Sequence, residues 1–291
     1  MHIGLSDSFG GTPARDAIFI QEFAAKAEAV GFESLWVPEH VVFFDEYDSR
    51  YPYNESGSLD LGANPGLFDP FQSLTVAALA TTTLKLGTSV LLIGERNPLL
   101  TARESASLDQ ISGGRFLLGV GVGWSEEEYV AMGVPWERRG ERCDEYIQAM
   151  KQLWTSPRSS FHGEFCDFDD VIAFPKPVQP SVPVLVGGNT PPALRRAARW
   201  GDGWFGWNLT VDELQATVAT LDRLLAENGR SRDGFVLQTG LFHSGDGEGL
   251  ADYASACTTA GLERLVLGFP LSRRSFAERI EHYARALALP A

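Results

Sequence analysis

The stretch Gly113-Gly114-Arg115-Phe116-Leu117-Leu118-Gly119-Val120-Gly121-Val122-Gly123-Trp124 constrains the fold more than any other part of the chain. A Gly-Gly turn opens it, a short apolar run follows, and three glycines spaced by valines close it. An apolar run this short, bounded by turn residues, reads as a strand buried on both faces, the kind found in parallel sheets. Parallel strands need a crossover between them, usually a helix. The sequence repeats that unit. Short apolar runs over 3–5, 34–37, 84–92, 116–121, 184–186, 203–206, 235–239 and 265–268 alternate with helical spacing, as in Ile18, Phe23, Ala27 and Val30. Eight such units in 291 residues predict an α/β chain folded as a (β/α)8 TIM barrel, one domain over 1–291.

The helix over 13–30 is expected to start at Pro13, with Thr12 as its N-cap. Two rim insertions break the alternation. Residues 41–66 mix aromatics, acids, Asn, Pro and Gly with no period, and an aperiodic stretch of that length reads as a lid over a site. Residues 156–182 are proline-rich and loop-like, with a hairpin expected over 161–174.

Composition matters mainly for what it excludes. A net charge of −14 argues against nucleic acid and against an anionic membrane surface as partners. Nothing approaches 18 consecutive apolar residues, and the N-terminus lacks a signal-peptide pattern. Cys143, Cys166 and Cys257 are odd in number and far apart, without metal-ligand spacing. A cytoplasmic chain with no metal centre and a small-molecule substrate is the expectation.

In a barrel of this kind, chemistry collects at the carboxyl ends of the strands. Glu39-His40 stand at the end of the second strand, an acid beside an imidazole, and are the expected catalytic pair. Gly121, Gly123 and Trp124 end the fourth strand, where glycines let a ligand approach the backbone. Their spacing is not the GxGxxG of a dinucleotide fold. Gly187-Gly188-Asn189-Thr190 precede a helix that starts at Pro191, a place where N–H groups, a carboxamide and a hydroxyl can cradle a phosphate. The alternative is a plain helix cap at Thr190. No GxSxG nucleophile motif is present.

Taken together, Ser34-Leu35-Trp36-Val37-Pro38-Glu39-His40, Leu86-Gly87-Thr88-Ser89-Val90-Leu91, Arg96-Asn97-Pro98, the 113–124 run, Gly187-Gly188-Asn189-Thr190 and Gly201-Asp202-Gly203-Trp204 resemble the bacterial luciferase-like superfamily. The resemblance covers essentially the whole chain and is nearest to the branch of oxidoreductases that use the deazaflavin F420. It implies a barrel with flavin or deazaflavin in the rim cavity, and a homodimer. It also implies a non-prolyl cis peptide at Ser89-Val90 backing the cofactor ring. Its phosphate site maps to Gly188, Asn189 and Thr190 and to 121–123. Where the luciferases proper carry an arginine for the flavin phosphate this chain has Val122, which favours coenzyme F420 over FMN. Trp124 stands where the sugar-phosphate dehydrogenase branch has an acid. The resemblance thus implies an F420-dependent oxidoreductase acting on an organic substrate. An FMN-dependent monooxygenase fed by a partner reductase, and a non-catalytic cofactor carrier, are the alternatives.

Overall fold

The computed structural model describes residues 1–10, 16–53, 56–58 and 66–290. The first half of the chain runs β1 (His2–Ser6), α1 (Ala17–Ala29), β2 (Ser34–Val37), α2 (Pro70–Ala80), β3 (Lys85–Thr88), β4 (Leu91–Leu92), α3 (Pro98–Ser112), β5 (Phe116–Gly121), α4 (Glu126–Ala131) and α5 (Arg139–Thr155). A hairpin of β6 (Ser159–His162) and β7 (Asp167–Val171) follows. Then come β8 (Val184–Gly187), α6 (Pro191–Trp200), β9 (Gly203–Trp207), α7 (Val211–Glu227), β10 (Val236–Phe242), α8 (Leu250–Thr259), β11 (Arg264–Gly268) and α9 (Phe276–Ala286).

Every pairing in the main sheet is parallel, and β3 pairs with both β2 and β5. The sheet therefore closes on itself, with β11 beside β1 and β8 beside β5. Counting β3 and β4 as one interrupted strand gives the eight-stranded barrel. The interruption falls at Ser89-Val90, whose peptide is cis, as the resemblance implies.

Inside the barrel, Trp36, Leu117, Leu185, Phe205 and Val266 form a separate apolar cluster, so the centre is packed and not a pore. Gly87 makes room for it: a Cβ there would lie 2.3 Å from the Trp36 ring. Beneath it, buried Arg264 donates to Glu33 at 2.7 and 2.8 Å and to Gln238 at 2.6 Å, so the charge at the closed end is paired.

Helix boundaries follow local capping. The first helix starts later than expected, at Ala17, because the Asp16 carboxylate accepts the Phe19 N–H at 2.7 Å and fixes the first turn. Thr12 and Pro13 lie outside the described residues. The hairpin begins at Ser159 rather than Phe161 and ends at Val171. Among the described residues no helix is long and apolar enough to cross a membrane.

Candidate active site

The strand ends named above converge on one cavity of about 850 Å³ at the carboxyl end of the barrel. Glu39, His40, Ser89, Val90, Gly121, Gly123, Trp124, Gly187, Gly188, Asn189 and Thr190 all contribute to its wall. Proximity is therefore as the sequence suggests. The work these side chains do differs in several places.

His40 is held from both sides. Its Nδ1 lies 2.7 Å from Glu128 Oε2, and its Nε2 lies 3.2 Å from the Trp124 indole nitrogen. Indole N–H only donates, so Nε2 is the acceptor and the ring proton sits on Nδ1, donated to Glu128. The other Glu128 oxygen accepts the Val41 N–H at 2.5 Å. Glu128 is 1% exposed. It reaches His40 because Ser125 caps α4, its hydroxyl accepting the Glu128 N–H at 3.1 Å.

Glu39 is not the partner of His40. Sequence neighbours leaving a strand turn to different sides, and the Glu39 carboxylate faces Arg96, with Nε at 2.8 Å, and the Leu92 N–H, also at 2.8 Å. Burial raises its pKa against the pull of Arg96. That geometry makes Glu39 a strut between the ends of β2 and β4, so it lines the cavity without bonding His40. The acid of the pair is Glu128, 88 residues downstream of His40.

The glycines also serve one another's neighbours. A Cβ at Gly121 or Gly187 would lie 2.6 or 2.8 Å from a Val90 methyl group. They accommodate the side chain at the cis peptide before they accommodate any ligand. At the expected phosphate cradle, the Asn189 carboxamide is spent on the backbone of Trp207, donating at 2.8 Å and accepting at 3.1 Å. Gly188 N–H goes to the Phe205 carbonyl at 3.1 Å. Pro191 and Pro192 remove two further donors from the start of α6. Thr190 borders the cavity, and its hydroxyl makes no capping bond to α6.

Arg139, absent from the sequence-based site, meets the same cavity. It opens α5, its guanidinium lies 3.4 Å from the centre of the Trp136 ring, and its Nε is buried with no partner. Burial depresses its pKa. An orphaned guanidinium nitrogen beside the strand-end glycines fits a phosphate oxygen. Asp7, just past β1, also borders the cavity, and burial pushes its carboxyl up to about 6 against the Phe9 N–H bond of 2.6 Å. Behind the wall, Glu95 is 5% exposed with neither oxygen bonded. Burial, then Glu128 and Glu39, push it up to about 9.

Some of these residues carried a signal. Asp7 has the same placement at a strand's carboxyl end that marked His40, and Ser125-x-x-Glu128 has capping-box spacing. Arg139 and Glu95 carried none, since their place depends on how irregular segments fold back.

The cavity at the carboxyl end of the barrel thus brings together a histidine held at both nitrogens, the Ser89-Val90 peptide and an arginine whose Nε has no hydrogen-bond partner. The chain belongs to the luciferase-like monooxygenase family, whose sequence model matches residues 2–286. An uncharacterised protein of Mycobacterium tuberculosis is 34% identical over 293 residues, covering 99% of each chain. An FMNH2-dependent dimethylsulfone monooxygenase of Pseudomonas putida is 35% identical over 175 residues, 58% of this chain and 48% of that one. An F420-dependent secondary alcohol dehydrogenase, solved with an F420–acetone adduct, superposes with a TM-score of 0.80 at 18% identity, covering 98% of both chains.

Proposed function

We propose that the chain is an F420-dependent oxidoreductase that moves a hydride between the deazaflavin and an organic substrate. The observation that carries this is His40 Nε2, an acceptor nitrogen fixed at the cavity by the Glu128 bond to Nδ1. Hydride transfer at a carbon bearing oxygen requires a proton to leave or join that oxygen. His40 Nε2 takes it in one direction and returns it in the other, while Glu128 offsets the charge on the ring. Arg139 and Thr190 would hold the cofactor phosphate, and Val90 would back its ring. When bound, the deazaflavin supplies the carbon that accepts or donates the hydride. The aromatic segment after His40 excludes water from the reacting end.

The relative from Pseudomonas putida supports a second reading, reduced FMN and oxygen chemistry in the same cavity. Val122, in the place of the luciferases' arginine, weighs against it, although Arg139 could answer for that charge. Titration of the purified chain with F420, FMN and reduced FMN, followed by tryptophan fluorescence, separates the two. The expected result is micromolar or tighter binding of F420 and binding of either flavin at least tenfold weaker. Tight binding of reduced FMN with no response to F420 overturns the proposal. Binding of F420 without hydride exchange over a broad panel of alcohols and carbonyls makes the chain a carrier.

A further inference from the structure

Trp124 does more than line the cavity. Its indole N–H occupies the one His40 nitrogen that could serve a substrate, at 3.2 Å, with the two ring centroids 5.8 Å apart at 71°. An imidazolium would set N–H against N–H, so a protonated His40 and this bond exclude each other. The same indole is clasped by the segment that follows His40: Tyr47 lies 5.0 Å from it and Tyr51 5.3 Å, centroid to centroid. Two of the three acids that follow, Glu127 and Glu128, complete the arrangement. Glu127 accepts the N–H groups of Asp48 and Ser49 at 2.7 and 2.9 Å, and Glu128 accepts that of Val41 while holding His40. Residues 124–128 thus hold both ring nitrogens of the histidine and the backbone of the segment above it.

We infer that Trp124 covers the acceptor nitrogen of His40 until a substrate bearing a hydrogen-bond donor replaces the indole N–H. Trp124 is then a positioning and selecting residue, and the reacting end of the cavity takes a hydroxyl in preference to a bare carbonyl. The exchange is between like bonds: one donor leaves Nε2 and another arrives. Against the neutral His40 of the resting chain, a carbonyl or an apolar group at that place would leave two acceptors facing each other, or Nε2 unpaired, at a cost of about tenfold or more in affinity. Displacing the indole also frees it from Tyr47 and Tyr51, so arrival of the substrate is felt by the covering segment. The inference rests on His40 being the group that meets the substrate.

Carbethoxylation by diethyl pyrocarbonate, which attacks an unprotonated imidazole nitrogen, tests it. The rate at His40 is read by peptide mass spectrometry, with exposed His162 as internal standard. In Trp124→Phe the ring packing remains and the N–H is gone, and the rate at His40 is expected to rise about tenfold over wild type. Cyclohexanol should then protect His40 in the variant several-fold better than cyclohexanone does. Nitrogen-15 spectra of the wild-type ring should place the proton on Nδ1. A variant rate equal to wild type, equal protection by the two probes, or a proton on Nε2 in the wild type each overturns the inference. An unfolded Trp124→Phe would show in circular dichroism, and the wild-type spectrum then decides. All these readouts are taken without cofactor, so failure of the F420 proposal cannot produce them.

Discussion

The two insertions look alike in sequence, both aperiodic and rich in proline and aromatics, yet they do opposite work. The segment from Val41 leaves the carboxyl end of β2 and stands over the cavity, with Phe43, Tyr51 and Tyr53 in its wall. Residues 156–182 leave the end of α5 and return to the amino end of β8, and none of them reaches the cavity. Which end of a strand a loop serves decides its role in a barrel: the carboxyl end carries chemistry, the other end stability. Their footings differ accordingly. The upper segment rests on Glu127 and Glu128, in a neighbourhood of buried acids that includes the unpaired Glu95. The lower one rests on buried Asp109, which accepts from Val178 N, Gln179 N and Gln179 Nε2 at 2.7, 3.1 and 2.7 Å. The upper footing includes a buried acid without a hydrogen-bond partner, and the lower one a buried acid whose bonds are made.

The largest single effect on turnover is expected at the upper site. Removing a positioned acid–base group costs roughly 10²–10⁴-fold. His40→Ala should lower turnover with F420 by that much and leave the cofactor dissociation constant within about twofold. Turnover within a few-fold of wild type would remove His40 from the chemistry, and loss of cofactor binding would make it a contact residue.

What the sequence disclosed follows the same division. The barrel was legible because period and punctuation are local: each strand announces itself by a short apolar run and each helix by spacing. Strand-end residues were legible too, since position along a strand fixes which rim they reach. Partnership was not. Glu128 meets His40 across 88 residues, and Glu39, adjacent in sequence, turns to Arg96. The helix start at Asp16 and the spent carboxamide of Asn189 depended on hydrogen bonds that no spacing announces.

The buried acids under the upper segment should show in the pH dependence of stability. Folded, Glu95 keeps its proton up to about 9; unfolded, it releases it near its ordinary 4.5. Between those values unfolding releases a proton, so each rise in pH favours the unfolded chain, by at most about 1.4 kcal/mol per unit. Glu95→Gln has no proton to lose. Its melting temperature should match wild type near pH 4.5 and exceed it increasingly from pH 5 to 8. Parallel melting curves across that range would mean that Glu95 finds a partner and that the contrast between the two footings fails.

The smallest effect belongs to the lower site, where each bond is one of several. Gln179 Nε2 bridges Asp109 Oδ1 and the Phe116 carbonyl, at 2.7 and 2.9 Å, and so ties the returning segment to the start of β5. In Gln179→Ala the two backbone N–H groups still serve the other Asp109 oxygen, and the side-chain bonds alone are lost. A hydrogen bond to a charged acceptor contributes about 1.5–3 kcal/mol net, so denaturant unfolding should show a loss of that order. Cofactor affinity and the carbethoxylation rate of His40 should not move, because no residue of 156–182 lines the cavity. A change in either readout from this substitution would mean that the two ends of the barrel are coupled, and that the division of labour between the insertions is false.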